Sequence, residues 1–209
     1  MPLSENVIAM LHEKAKMDRF LIRTVEHIHR VQNNMLRQVT WHSWELEGAG
    51  VGNGNARRLM WAVMNHDQSK FSHRQFFPYI EITEHHRQKK ILKNDQYEYK
   101  QDAKALIDEA IKDHCLQEAH HPERMTIDKY SRRYDALDML ETICDLQAMA
   151  QEFNEGSCRK FYIETWCKKH RAKFSHDEWG KLNAIALIAI QCFEKDIAEA
   201  TGRQCHDSI

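Results

Sequence analysis

In the segment Asn65-His66-Asp67-Gln68-Ser69-Lys70-Phe71 an imidazole and a carboxylate stand side by side at what reads as the end of a helix. Both can turn toward one divalent cation, the imidazole nitrogen as a borderline donor and the carboxylate oxygen as a hard one. By itself the dipeptide more often means a capping Asp beside a core His, so a metal site needs further ligands.

A second cluster runs from Asp113 to Glu123. Ala103, Leu106, Ile107, Ala110 and Ile111 lead at helical spacing to His114, placing that imidazole on a buried stripe where an unpaired polar group is costly. Its partner is either a metal or a hydrogen bond. Pro122 disfavours helical geometry at His121, so His120 and His121 lie at the helix end or in the next turn, where they are displayed for chemistry or simply solvated. A third element is the row Asp138, Glu141 and Asp145, spaced by three and four along one helix. The apolar arc Leu140, Ile143, Leu146, Gln147 and Ala150 lies on the other side, so the row either faces water or walls a polar pocket in a bundle. His27 and His29 flank the apolar stripe of the first helix on opposite sides, and either can point inward. His12, His42, His73, His85, His86, His170, His176 and His206 read as surface or structural.

These residues need a scaffold, and composition favours helices. The 209 residues are 42% hydrophobic, enough for a substantial core, and only 7 Gly and 3 Pro punctuate them. We expect an all-α, single-domain helical bundle over residues 1–209, with the metal-site core at about 20–155 and C-terminal helices at 158–203 packing on it. The first helix spans 4–39, its core face marked by Met17, Leu21, Thr24, Ile28, Val31 and Met35. A short helix over 56–65 carries Leu59, Ala62, Val63 and then His66 on one face. Ser72 with Gln75 reads as a capping box, making 67–71 the turn between helices. Further helices are expected near 74–93, 101–119, 132–153, 158–172 and 176–202. The stretch 45–55, with Gly48, Gly50, Gly52 and Gly54, reads as a flexible loop, a connector or a lid.

Thirty basic against 31 acidic residues leave a net charge of −1, which argues against an extensive nucleic-acid surface or a grip on anionic membrane and suits a compact anionic substrate. The longest apolar stretch, around 182–193, is interrupted by Asn183 and Gln191 and is too short to span a bilayer, and the N-terminus lacks a signal-peptide pattern, so the cytoplasm is expected. Six scattered cysteines without a CxxC pair signal neither a zinc knuckle nor a disulfide framework.

In chain order, His27, the His66-Asp67 doublet, His114 with His120-His121, and Asp145 resemble the H…HD…D arrangement of the HD-domain superfamily, all-helical metal-dependent phosphohydrolases. Thr24-x-x-His27-Ile28-x-x-Val31, His66-Asp67-x-Ser69-Lys70-Phe71, His120-His121-Pro122-Glu123 and Glu141-x-x-x-Asp145 resemble more narrowly a family of uncharacterised phage and bacterial proteins, over about residues 20–155. The resemblance implies a divalent ion (Mn, Co, Ni, Mg, Zn or Fe) on His27, His66, Asp67 and Asp145, with His114, His120 and His121 as second-metal ligands or phosphate contacts. It also implies a bacterial or phage-infected cytoplasm. Superfamily nucleotidases often carry a Glu shortly after the doublet for proton transfer. Here Ser69 and Lys70 stand there, which leaves that role open between a histidine of the second cluster, such as His114, and Glu141. Lys70, and more weakly Arg74 and Arg124, are placed to neutralise charge on a phosphoryl group, unless Lys70 is simply a solvated turn lysine.

The expected function is a metal-dependent phosphohydrolase acting on a small phosphate ester, by the resemblance a (deoxy)nucleotide. Two rivals accompany it: a di-iron oxygenase of the same fold, and a non-enzymatic helical binding or inhibitor protein with a structural metal site. A homo-oligomer is compatible with each.

Overall fold

The computed structural model describes residues 4–51, 56–99, 101–126 and 133–202. Among them every regular element is a helix: α1 (Glu5–Trp41), α2 (Ser43–Gly48), α3 (Ala56–Asn65), α4 (His73–His86), α5 (Gln101–Gln117), α6 (Ala136–Glu152), α7 (Arg159–Phe161), α8 (Cys167–His170) and α9 (His176–Thr201). Wider π turns extend α4 over Arg87–Ile91 and join α7 to α8 over Tyr162–Trp166, and 3-10 turns form at Gln68–Phe71 and Pro122–Thr126. No helix of the described residues is long and apolar enough to cross a membrane.

Three local expectations are corrected. The glycine-bearing stretch does not begin as a loop: Ser43–Gly48 is helical, and Gly50 at φ 93° ends it. The amide of Gly50 donates to Glu47 O and that of Val51 to Leu46 O, the paired bonds of a Schellman stop, while Leu46 and Val51 are both buried beside it. Gly52 and Gly54, in the other half of the expected loop, lie outside the described residues. Ser72 stands at the start of α4 but its side chain caps nothing; Gln75 is fully buried, and its amide lies 3.4 Å from Gln117 Oε1 instead of turning back. A capping box does form at α6, which therefore starts at Ala136 rather than near 132. Asp135 accepts from the amides of Leu137 and Asp138, and Asp138 accepts from the amide of Asp135.

The helices fall into two compact units, each assembled from separate chain segments. The first takes the chain up to Glu26 together with Asp67–Glu118. Its core gathers Phe20, wholly buried, against Phe71 and edge-on to Phe76, with Ile80, Ile107 and Ala110 also buried. Glu84 is one buried charge of this unit. Arg19 reaches it from α1 at 2.7 Å, and Arg87 and Gln88 fold back to it from the π turn at 2.6 and 2.8 Å.

The second unit takes His27–His66 with Ala119–Ile209 and holds the larger core, from Val31 and Met35 of α1 through Leu140 and Ile143 of α6 to Ile185, Ala189 and Phe193 of α9. Buried amides link its helices across that core. Asn34 donates to Cys144 O at 3.1 Å, and Gln38 donates to Ala189 O at 3.2 Å, each tying α1 to a neighbour through a carbonyl.

Burial alone would raise the Glu84 carboxyl, but hydrogen bonds from Arg87, Gln88 and Arg19 bring it down to about 2. A depressed carboxylate contributes stability above its unfolded value and loses it as acid is added, so this contribution fades from about pH 4.5 down through about pH 2. Glu84→Gln should therefore cost about 2 kcal/mol at pH 7 and much less at pH 3. Urea unfolding at the two pH values measures this, and an equal loss at both would refute it.

Candidate metal centre

The centre is built around α6, which is buried on nearly every side: Leu137, Met139, Leu140, Ile143 and Cys144 are in the core, and so are Asp138 and Glu141. Carboxylates on such a helix must be met by donors or cations, because stripping water from a lone charge costs more than the fold can supply. Each member of the row is met from a different segment. Asp138 pairs with Arg58 of α3 at 2.9 Å. Glu141 Oε1 lies 3.0 Å from His66 Nδ1 and 3.2 Å from His120 Nδ1. Asp145 Oδ1 lies 2.9 Å from His27 Nε2 and 3.9 Å from His66 Nε2. The row thus walls a polar site and does not face water.

The geometry fixes the proton on His66. Burial would raise the Glu141 carboxyl, but the hydrogen bonds and charge of His120 and His66 bring it down to about 2, so it is an acceptor only. His66 then donates from Nδ1, and when the ring is neutral its Nε2 carries the lone pair, 3.9 Å from Asp145. Asp145 is held in the same way: burial would raise it, but the hydrogen bond from His27 and the fields of His27, His66 and His120 hold it well below the usual carboxylate range.

The donor atoms of His27, His66 and Asp145 lie within 4.8 Å of one another, as do those of His66, His120 and Glu141, so both groups are able to hold a metal ion. Two ligands about 2.1 Å from one ion and roughly 90–110° apart stand about 3.0–3.4 Å from each other. The 2.9 and 3.9 Å separations bracket that span, and the third is at most 4.8 Å, so the first group is close to the spacing that a divalent ion requires. Two imidazoles and one carboxylate leave coordination positions open, as a catalytic ion requires.

His120 is buried, and its backbone is fixed from α6. Thr142 Oγ1 donates to His120 O at 2.6 Å, so its neighbour Tyr134, 2.5 Å away, donates to Thr142. His121 is half-buried, its ring 4.3 Å from that of His120, and with Arg124 it lines a cavity beside the centre. His29 is exposed, which resolves the first-helix choice in favour of His27.

The first unit carries its own cluster. Asp67, left-handed at φ 58°, is bonded by Lys70, and its Oδ1 lies 3.2 Å from His114 Nε2. The other ring nitrogen of His114 meets Ser69 Oγ at 2.9 Å, and Glu118 accepts the Ser69 amide at 3.1 Å. Donor atoms of Asp67, His114 and Glu118 form a third group able to hold a cation. Lys70 is anchored by Asp67 and lies 5.3 Å from the Tyr79 ring, while Arg74 is 79% exposed with Asp113 at 3.7 Å.

Sequence reasoning missed Glu118, Thr142, Tyr134 and Arg58. Only Glu118 left a signal, one helical turn beyond His114. Glu141, expected as a proton shuttle, is too buried and too firmly engaged by two imidazoles for that work and is a positioning residue instead.

Fold and site together define an all-α protein with a buried histidine–carboxylate centre. The chain belongs to a family of unknown function, DUF5662, which matches residues 16–188 and so reaches into α9. No curated protein and no solved structure matches it.

Since Glu141 orients two imidazoles, Glu141→Gln should weaken Mn2+ binding roughly 10- to 100-fold while leaving the far-UV circular dichroism unchanged. Isothermal titration reads the affinity, and an unaltered value would reduce Glu141 to a packing element.

Proposed function

We propose that this chain is a metal-dependent phosphohydrolase acting on a small phosphate ester. The observation that supports it most directly is the convergence of His27 Nε2, His66 Nε2 and Asp145 Oδ1, with the His66 proton held on the far side of its ring by Glu141. When bound there, a divalent ion supplies a Lewis acid for a phosphoryl oxygen and a lowered pKa for a water molecule. The chain's own residues do the rest. Glu141 keeps His66 in the ligating tautomer, and Asp145 joins the two histidines as the anionic member of the set. His120, with Nδ1 3.2 Å from Glu141 and its carbonyl held by Thr142, is the nearby imidazole that we assign to proton transfer. The near-neutral chain, at a net charge of −1, favours a small substrate over a polymer. The resemblance to HD-domain enzymes adds the expectation of a nucleotide and of Asp67 as a further ligand.

The test is phosphate release from simple monoesters and a mononucleotide panel after loading with Mn2+, Co2+, Ni2+, Zn2+, Mg2+ or Fe2+. His27→Ala, His66→Ala and Asp145→Ala should each lose metal binding and reduce turnover by about a hundredfold or more, with helical content retained. Asp67→Asn examines the fourth expected ligand in the same assay. Oxygen consumption by the iron-loaded chain without phosphate release would overturn the proposal in favour of oxygenase chemistry. Metal binding without any turnover would overturn it in favour of a structural centre.

A further inference from the structure

Beside the centre, in the second unit, a cavity of about 160 Å³ is lined by Trp61, His121, Arg124, Met125, Tyr134 and Asp138, among others. Its walls are rigidly tied to the metal centre. His121 follows His120, with the two rings 4.3 Å apart, and Asp138 lies one turn before Glu141 on α6. Tyr134 directs its hydroxyl into the Thr142–His120 chain, so the face it gives the cavity is its ring. The charge of Asp138 is engaged by Arg58 at 2.9 Å, and its second oxygen accepts the Asp135 amide at 3.0 Å. The lining presents an indole, an imidazole, a phenol ring and a thioether, together with the guanidinium of Arg124. A cavity of about 150 Å³ holds a benzene-sized ring, aromatic faces favour flat rings, and Met adapts to their edges. Trp61 is 59% exposed, so its indole is accessible to an occupant of the cavity that it lines.

We propose that this cavity is a ring-binding subsite in which Trp61 stacks on a flat aromatic group of an anionic ester, while Arg124 faces its negative charge. The proposal rests on the phosphohydrolase reading and adds to it the residue that selects the substrate. Aryl and heteroaryl phosphates are then preferred over alkyl phosphates of equal charge, and the preference resides in Trp61.

The test uses two non-hydrolysable probes, phenylphosphonate and methylphosphonate, titrated calorimetrically into the Mn2+-loaded full chain. Phenylphosphonate should bind roughly tenfold tighter or more, the scale of one ring stacked on one aromatic side chain. Trp61→Ala should bring the two probes to within about twofold of each other without weakening methylphosphonate, and Trp61→Phe should restore most of the preference. Because Trp61 is largely exposed, neither change threatens the fold. If both probes bind the parent chain equally, or if Trp61→Ala keeps the preference, the ring subsite is refuted while the phosphohydrolase reading stands. If neither probe binds, both readings fall.

Discussion

The second unit depends on one constraint: α6 runs through its core and carries two buried carboxylates, Asp138 and Glu141, and a third, Asp145, whose side chain is only 20% exposed. A buried carboxylate is tolerable only with donors in place, and a helix supplies none to its own side chains in mid-turn. Asp138, Glu141 and Asp145 therefore draw in partners from far along the chain. Arg58 comes from α3, His66 from the residue after α3, His27 from α1 and His120 from the turn before Pro122. The same electrostatic requirement that makes the helix costly to bury assembles the site.

Within that frame the three carboxylates act differently because their partners differ. Arg58 binds Asp138 and the capping Asp135 together, so its guanidinium fixes the start of α6 as well as offsetting a buried charge. Glu141 Oε1 accepts the Nδ1 proton of His66, so setting its tautomer, and lies 3.2 Å from Nδ1 of a second imidazole, His120. Asp145 pairs with His27 Nε2 and faces His66 Nε2, and a cation bound there would replace the proton that His27 shares with the carboxylate. Moving down the helix, the row passes from a structural ion pair, through an orienting group, to a candidate ligand.

Much of this was legible in local pattern, and the misses share a cause. The stripe Thr24, Ile28, Val31 and Met35 is buried as its spacing implies, and His27, one position before Ile28, follows it inward. His114 is buried for the same reason. The capping box was read at Ser72-x-x-Gln75, where burial diverts the glutamine to α5, and was overlooked at Asp135-x-x-Asp138, where an aspartate takes the place usual for Glu or Gln. Gly50 suggested looseness, yet a single left-handed glycine is what a buried helix stop between Leu46 and Val51 demands. The orientation of the carboxylate row was open for a deeper reason. Its partners lie 21 to 118 residues away in the chain, and periodicity within one helix carries no information about which distant residue will arrive opposite.

The first unit follows the same rule. His114 Nδ1 meets Ser69 Oγ at 2.9 Å, and its Nε2 lies 3.2 Å from Asp67 Oδ1. Since the carboxylate only accepts, the imidazole proton lies on Nε2 and the serine donates to Nδ1. That arrangement has the form of a nucleophile, a base and an orienting acid. Lys70, however, bonds the same carboxylate and draws its charge away from the imidazole, which weakens the pull on the serine proton. Where such a carboxylate is neutralised by its own ion pair, the serine is better described as the group that fixes the His114 tautomer than as an attacking oxygen. In both units, then, a carboxylate decides which nitrogen of a histidine carries the proton: Glu141 places it on Nδ1 of His66, and Asp67 places it on Nε2 of His114.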